Sequence, residues 1–137
     1  MSVHTDLKAQ IKANISAITG INKVFGYEKG ELEYPAAIVV LDGIESMADS
    51  TNSNDRKYTY RVSVYQEMVD DGVGAEEAED RIDNLVDSII SKFENDWDLA
   101  GLAYNTAIKG ITAYQDRGNQ CRVVQFTIEA FCNITLT

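Results

Sequence analysis

The sequence has few of the residues from which catalytic and metal sites are most often built. It contains one histidine, His4, together with two cysteines and one proline. Ser-His-Asp and Cys-His catalysis and histidine-ligated zinc sites need a well-placed histidine, and His4 lies at a terminus that we expect to fray. No phosphate loop or dinucleotide fingerprint occurs, and Gly72-Val-Gly74 is a fragment that we interpret as a chain break. We therefore expect no enzymatic activity, no cofactor and no metal.

Acidic residues are the remaining candidates for chemistry. They cluster between Asp70 and Asp80, where carboxylates could bind Mg²⁺ or Ca²⁺. The spacing does not match a calcium-binding loop, and a solvated helix start is the preferred interpretation because carboxylates favour the positive end of a helix dipole. Glycosidase chemistry would need two carboxylates across a sugar-sized cleft, and nothing in the sequence marks such a cleft.

Positive charge is also scarce. The chain has 12 Lys and Arg against 22 Asp and Glu, which gives a formal net charge of −10. Proteins that wrap nucleic acid need a basic surface, so this charge argues against that function. It is compatible with a surface past which DNA slides, and equally with simple solubility.

The two cysteines are not expected to form a disulfide. Cys121 and Cys132 lie on or beside one strand, eleven positions and thus roughly 36 Å apart at about 3.3 Å per residue. A disulfide needs Cα atoms within about 7 Å. We expect reduced thiols, which fit a reducing compartment, with Cys132 in the core.

Length and hydropathy predict one domain over residues 1–137. No apolar run approaches the roughly 20 residues that span a bilayer. The first residues, Met1 to Asp6, have neither the basic nor the apolar region of a signal peptide. We expect a soluble protein made in a cytoplasm.

Apolar and polar residues alternate almost without a break at the end of the chain, with Val123 and Phe131 as exceptions. From Arg122 to Thr137, period two predicts a long strand with one buried face. The residues expected on that buried face are Val124, Phe126, Ile128, Ala130, Cys132, Ile134 and Leu136.

The rest of the pattern predicts an α+β fold. The order is α-β-β-β-α-β-β, with two helices packed on a mixed, mostly antiparallel sheet of about five strands. A polar, turn-rich loop is expected from Asp42 to Arg56, and a hairpin turn from Asp116 to Asn119. Trp97, Leu99 and Leu102 are expected to pack beneath the second helix. The predicted helices are Thr5–Thr19 and Ala75–Asn95, and the other strands are Lys23–Glu28, Ala36–Leu41, Lys57–Glu67 and Thr106–Gln115.

These segments together resemble the tail terminator proteins of tailed bacteriophages, also called tail completion or tail-to-head joining proteins. The residues that carry the resemblance are Glu33-Tyr-Pro-Ala-Ala-Ile-Val-Val-Leu41, the polar loop, Arg56-Lys-Tyr-Thr-Tyr-Arg-Val-Ser-Val64, an acidic helix that ends at Phe93, and Trp97-Asp-Leu-Ala-Gly-Leu102. The resemblance covers nearly the whole chain and concerns layout, since the family has no invariant catalytic signature.

The resemblance implies a structural virion protein in the tail-neck region, made in the cytoplasm of a bacterial host. Such proteins form a hexameric ring that caps the tail tube, ends its polymerisation and joins the tail to the head connector. Their partners are copies of themselves, the tail tube protein and head-tail connector proteins, and DNA passes through the lumen without specific binding. No catalysis, cofactor or membrane is implied.

The family's loops and hairpins make subunit and tube contacts, and the matching segments here are Ser46–Arg56 and Gln115–Asn119. Scarce basic residues at such tips can pair with acidic patches of a neighbouring copy, although ordinary surface charge explains them too. Another neck component, such as a head-completion or stopper protein, and a small non-enzymatic adaptor remain as alternatives. The candidate contact residues are Asp49, Asn54, Asp55, Arg56, Lys57, Asp116, Arg117 and Arg122.

Overall fold

The elements alternate along the chain as the hydropathy pattern predicts. A computed structural model describes residues 3–18, 21, 23–27, 36–48, 53–67, 72–116 and 121–135. In this part of the chain no helix is long and apolar enough to cross a membrane. The elements are α1 (Val3–Ser16), β1 (Lys23–Phe25), β2 (Ala36–Ala48), β3 (Ser53–Glu67), α2 (Gly72–Asn95), β4 (Asn105–Asp116) and β5 (Cys121–Thr135).

The strands form one five-stranded sheet in the order β1-β2-β3-β5-β4. β1 pairs with β2 in parallel, and every other neighbouring pair is antiparallel. β3 and β5 occupy the centre and pair along 15 residues each. The predicted α+β class, its element order and its mostly antiparallel sheet are confirmed.

Both helices cover one face of the sheet. Alternate residues of β3 and β5, such as Tyr60, Val62 and Phe126, belong to the same buried cluster as residues from both helices. Full burial of such an apolar side chain stabilises the fold by about 1.5–3 kcal/mol. The helix residues in the cluster are Leu7, Ile11, Ile15, Ile82, Leu85, Ile89 and Phe93. We call this side of the sheet the covered face, and the other side, on which neither described helix packs, the open face.

The predicted loop from Asp42 to Arg56 is wrong. β2 continues to Ala48 and β3 begins at Ser53, so most of that segment is strand. Polar side chains bond across the strands here, for example Asn133 Nδ2 to Asp55 Oδ1 at 2.8 Å. Residues 53–57 of β3 are all polar, so they lack the alternation by which a strand is recognised.

Both edges of the sheet contain a bulge. In β2 the register shifts between Leu41 and Gly43, which places Leu41 and Ile44 opposite Tyr60 and Tyr58 and thus on the covered face. In β4 it shifts between Lys109 and Thr112. Gly110 has φ +63°, the left-handed conformation of a bulge whose first residue is glycine.

Three local predictions were also wrong. His4 lies inside α1, where its ring stacks on Tyr60 with centroids 5.6 Å apart. The Tyr60 hydroxyl donates to the His4 carbonyl at 3.2 Å, and burial raises the pKa of Tyr60. Gly72 starts α2 rather than breaking the chain before it. Leu99 is buried as predicted, whereas Trp97 and Leu102 are exposed.

Candidate assembly surfaces

Four of the predicted contact residues lie together at one end of the sheet. Asn54 to Lys57 form the start of β3, opposite the end of β2 and the end of β5. Asn54 Nδ2 donates to Ser46 Oγ at 3.5 Å, and Arg56 Nη1 donates to the Tyr58 hydroxyl at 3.2 Å. We call this the rim of the sheet, and its side chains are held by neighbours within the same copy.

Two further predicted contact residues, Asp116 and Arg122, do not join that group. Arg122 starts β5 opposite Gln66, ten residues further along β3 than Arg56 and therefore about 33 Å away. Asp116 ends β4 at the same end of the sheet as Arg122. Asp49 and Arg117 lie outside the described residues, as does the rest of the predicted hairpin turn.

An ion-pair cluster lies on the open face and was missed by the sequence analysis. Glu129 on β5 is buried, with its Oε1 2.9 Å from Lys109 Nζ and its Oε2 3.2 Å from Lys57 Nζ. Lys57 also reaches Glu45 Oε2 at 3.3 Å. The one available signal was a carboxylate between Ile128 and Ala130 with basic residues on both neighbouring strands.

This cluster holds its charges in the ionised state. The bond from Lys109, with a second from Lys57, lowers the pKa of Glu129 although burial opposes it. Bonds to Glu129 and then Glu45 raise the pKa of Lys57. Four strands are thereby joined by opposite charges on the open face.

Two strand edges have no neighbour among the described strands. β4 is the last described strand of the sheet, so no described strand pairs with its outer edge from Asn105 to Asp116. On the opposite side, β1 pairs with Ala36 to Ile38, so the outer edge of β2 from Val39 to Ala48 has no neighbour among the described strands. Open edges present unpaired N–H and C=O groups that another strand can complete.

An apolar groove of about 480 Å³ runs along the covered face between α2 and β4. Two of the side chains that line it, Trp97 and Ile111, are 53% and 37% exposed. Neighbouring exposed apolar side chains of this kind typically mark a binding surface. The groove is lined by Ile90, Phe93, Glu94, Trp97, Thr106, Ile108 and Ile111.

The open edge of β2 also exposes apolar side chains. Leu41 and Ile44 are 38% and 47% exposed, on the covered face but beyond the helices. A second groove lies between α1 and β1, where Lys8 Nζ donates to the Gly26 carbonyl at 2.6 Å and Tyr27 is exposed. The β4 edge thus borders a groove, whereas the β2 edge presents protruding side chains, and both carry apolar surface.

One carboxylate, Asp96, makes three of the hydrogen bonds that hold the loop carrying Trp97. Leu99 and Ala100 both have positive φ, 49° and 59°, which is unfavourable for residues other than glycine. Asp96 Oδ1 accepts the Ala100 N–H at 2.9 Å. Its Oδ2 accepts Asn14 Nδ2 at 2.8 Å and Gln10 Nε2 at 3.0 Å, so α1 holds the loop as well.

The hydrogen bonds to Asp96 also set its charge. Burial alone would raise the pKa of this carboxyl, but the bonds from Asn14, the Ala100 amide and Gln10 outweigh it and lower the pKa. Asp96 therefore remains an anion that accepts three hydrogen bonds. The wall of the groove is preorganised by these bonds.

Thiol and metal chemistry add little to this picture. Cys132 is a free, buried cysteine whose Sγ donates to the Leu102 carbonyl at 3.4 Å, and burial raises the pKa of its thiol. Within the described ranges, no group of three or more His, Cys, Asp or Glu side chains is arranged to hold a metal ion. The surfaces found in this part of the chain suit binding by shape and strand pairing.

The chain shares its fold with a protein of a solved virus-like particle. The match is to a chain in the "Virion of native gene transfer agent (GTA) particle", with 12% identity and a TM-score of 0.57. It covers 97% of this chain and 98% of that chain. No protein-family model and no curated protein matches the sequence.

Proposed function

We propose that the chain is a structural protein of a phage-like virion, and specifically a tail terminator. In this role it forms a ring, with six copies the expected number, at the end of a tail tube. The ring stops tube polymerisation and joins the tail to the head connector, while DNA passes through its lumen. The observation that carries the proposal is the likeness of fold along nearly the full length of both chains to a protein of a virion.

The open edges support an assembling protein. A ring needs a head-to-tail contact between two different surfaces of the same subunit. Here one surface is the groove beside β4 and the other is the exposed edge of β2, at opposite sides of one sheet. The rim, with Asn54 to Lys57, remains available for contacts along the axis of the tail.

Charge is consistent with DNA as passing cargo. A net charge of −10 repels the phosphate backbone and disfavours sticking. This predicts that lumen-facing positions are acidic or neutral. A lumen lined with arginine and lysine would count against this part of the proposal.

Native mass tests the ring. Light scattering over a concentration series should reach six copies of the 15.2 kDa chain, about 91 kDa, and negative-stain images should show rings with an open centre. Since a ring can need the tube end as a template, the same measurement is repeated with purified tail tubes. Capped tubes of fixed length support termination.

Other outcomes separate the alternatives. Binding to head connectors without capping of tubes would favour a head-completion or stopper protein. A monomer at every concentration that leaves tube growth unchanged would favour a non-enzymatic adaptor. A rim variant, Arg56→Ser, should weaken binding to tubes and leave the thermal melt close to that of the wild type.

A further inference from the structure

We propose that β4 of one copy pairs with the open part of β2 of the next copy, so that the sheet continues around the ring. In this contact Asn105–Lys109 lies antiparallel to Val40–Glu45, and Leu41 and Ile44 enter the groove beside β4. The inference rests on the proposed ring and identifies the surface that closes it. Its partner is a second copy of this chain.

Strand direction already fits this pairing. β3 runs opposite to β2, β5 opposite to β3, and β4 opposite to β5. β4 and β2 therefore run in opposite directions within one copy. When two copies stand side by side in the same orientation, β4 of one faces β2 of the other as an antiparallel pair.

The heights of the two edges also match. Following the register across the sheet, Ile44 pairs with Tyr58, Tyr58 with Ala130, and Ala130 with Thr106. In the same way, Leu41 is connected through Tyr60 and Ile128 to Ile108. A rotation about an axis along the strands, with no shift, thus brings Ile44 beside Thr106 and Leu41 beside Ile108.

Side-chain direction brings apolar surfaces together at those heights. Because of the bulge in β2, Leu41 and Ile44 both lie on the covered face. Thr106 and Ile108 lie on that face of β4 and line the groove, with Trp97 opposite them on its wall. Two exposed aliphatic side chains of one copy therefore meet the groove of its neighbour.

The pairing between β4 and β2 of neighbouring copies stops where β1 covers β2 and where β4 contains its bulge. β1 covers β2 up to Ile38, which is connected through Ser63 and Gln125 to the height of Thr112. Directly above that height β4 contains the bulge at Gly110, and a bulge bends its strand. The straight part of β4 from Asn105 to Lys109 therefore matches the part of β2 that β1 leaves open.

Charge disfavours pairing of like edges. β2 contains Asp42 and Glu45 and no basic residue, so two β2 edges would bring four carboxylates together. Lys109 is the charged side chain described on β4 and is 64% exposed, so two β4 edges would oppose lysines. Like charges opposite each other destabilise a strand pair, which favours the head-to-tail arrangement.

Cross-linking tests the contact directly. Glu45 and Asn105 lie at the same height through Lys57 and Phe131, so Glu45→Cys and Asn105→Cys should meet between copies. In a Cys121→Ser background, mild oxidation of the double variant should give a ladder of covalent oligomers on a denaturing gel. Each single variant should give dimers at most, because only one partner thiol is present.

Blocking variants test whether the contact is head-to-tail, joining β2 of one copy to β4 of the next. Ile44→Glu and Ile111→Glu each place a charge on one side of the contact, and both residues are more than a third exposed, at 47% and 37%. Each variant alone should require at least tenfold higher concentration to assemble. An equimolar mixture should form 1:1 dimers, since one intact contact remains. The matched control, Tyr27→Glu beside β1, should assemble as the wild type does.

The outcomes distinguish this pairing from the proposed function. Rings that form without cross-links, or Ile44→Glu that assembles as the wild type does while retaining its thermal melt, overturn the pairing and leave the ring. Absence of cross-links both in solution and on purified tail tubes also overturns it. A full ladder from a protein that does not cap tubes supports the pairing and removes the terminator role.

Discussion

β3 and β5 pair along their whole length, but the two halves of this pairing are stabilised differently. Between Tyr58 and Val64, the covered face of β3 is packed under the helices, and its residues are buried valines and tyrosines. Between Ser53 and Lys57, β3 carries polar side chains only, and Asn133 Nδ2 on β5 donates to Asp55 Oδ1 across the pair. A strand can therefore extend beyond its core when side chains satisfy one another across the ladder.

The difference separates residues that maintain the fold from residues that are free to make contacts. Substitution in the covered half should act on stability, and substitution at the rim or the open edges should act on assembly. Asp96 lies at the boundary, because it holds the loop whose Leu102 carbonyl meets Cys132. Three substitutions test this division.

The largest effect is expected in the covered half. Ile128→Ala removes a fully buried side chain from the central strand and should lower the free energy of unfolding by about 2–5 kcal/mol. The matched control, Ile44→Ala on the exposed edge of β2, should change it by less than about 0.5 kcal/mol. Urea denaturation measures both, and equal losses would contradict the division.

A smaller loss of stability is expected at Asp96, which lies at the boundary between the two halves. Asp96→Ala leaves Asn14 and Gln10 without their acceptor and frees the loop with positive φ, which should cost about 1–3 kcal/mol. Groove binding should weaken too, because Trp97 loses its fixed position. Gln10→Ala, which removes one of the three bonds, serves as the milder variant.

The pH dependence of the stability that Asp96 contributes follows from the direction of its pKa shift. The pKa of Asp96 is lower in the folded chain than in the unfolded one, so its contribution is fully present above the unfolded pKa of about 3.9. It is lost as pH falls below that value through the folded pKa. The stability difference between wild type and Asp96→Ala should therefore shrink in acid, and a constant difference would contradict the assignment.

Periodicity in the sequence predicted the covered half of the molecule well and the rim poorly. The spacing of Leu7, Ile11 and Ile15 and the alternation through Phe126 and Ile128 report burial, and those residues are buried. Residues 42–48 and 53–56 were assigned to a loop because polar side chains at a sheet end carry no such signal. Trp97 was assigned to the core by its hydrophobicity, which cannot separate core from groove.

The candidate surfaces depend on long-range register, and this explains why the sequence could not supply them. That Leu41 stands at the height of Ile108 follows from three successive strand pairings and a bulge. Glu129 meets Lys57 and Lys109 for the same reason. The predicted residues Asn54 to Lys57 lie together, whereas Arg122, predicted because it flanks the last hairpin turn, lies at the other end of the sheet.

The smallest effect on stability should come from substitutions in the bulges of β2 and β4. These bulges determine where each strand edge becomes available for pairing. A Cβ at Gly110 or at Gly43 would meet no atom within 4 Å, so space does not distinguish them. Backbone conformation does, because Gly110 has φ +63° and Gly43 has no positive φ. Gly110→Ala should therefore cost about 1–2 kcal/mol, as a left-handed residue with a side chain does.

Gly43→Ala serves as the matched control and should be neutral or stabilise by up to about 1 kcal/mol, because it restricts the unfolded chain without native strain. Urea denaturation measures both variants, and assembly is followed by light scattering. The bulge at Gly110 bends β4 near the level at which β1 covers β2. Gly110→Ala should therefore also weaken assembly, whereas Gly43→Ala should not. Equal effects at the two glycines would show that the bulges do not determine where the edges become available.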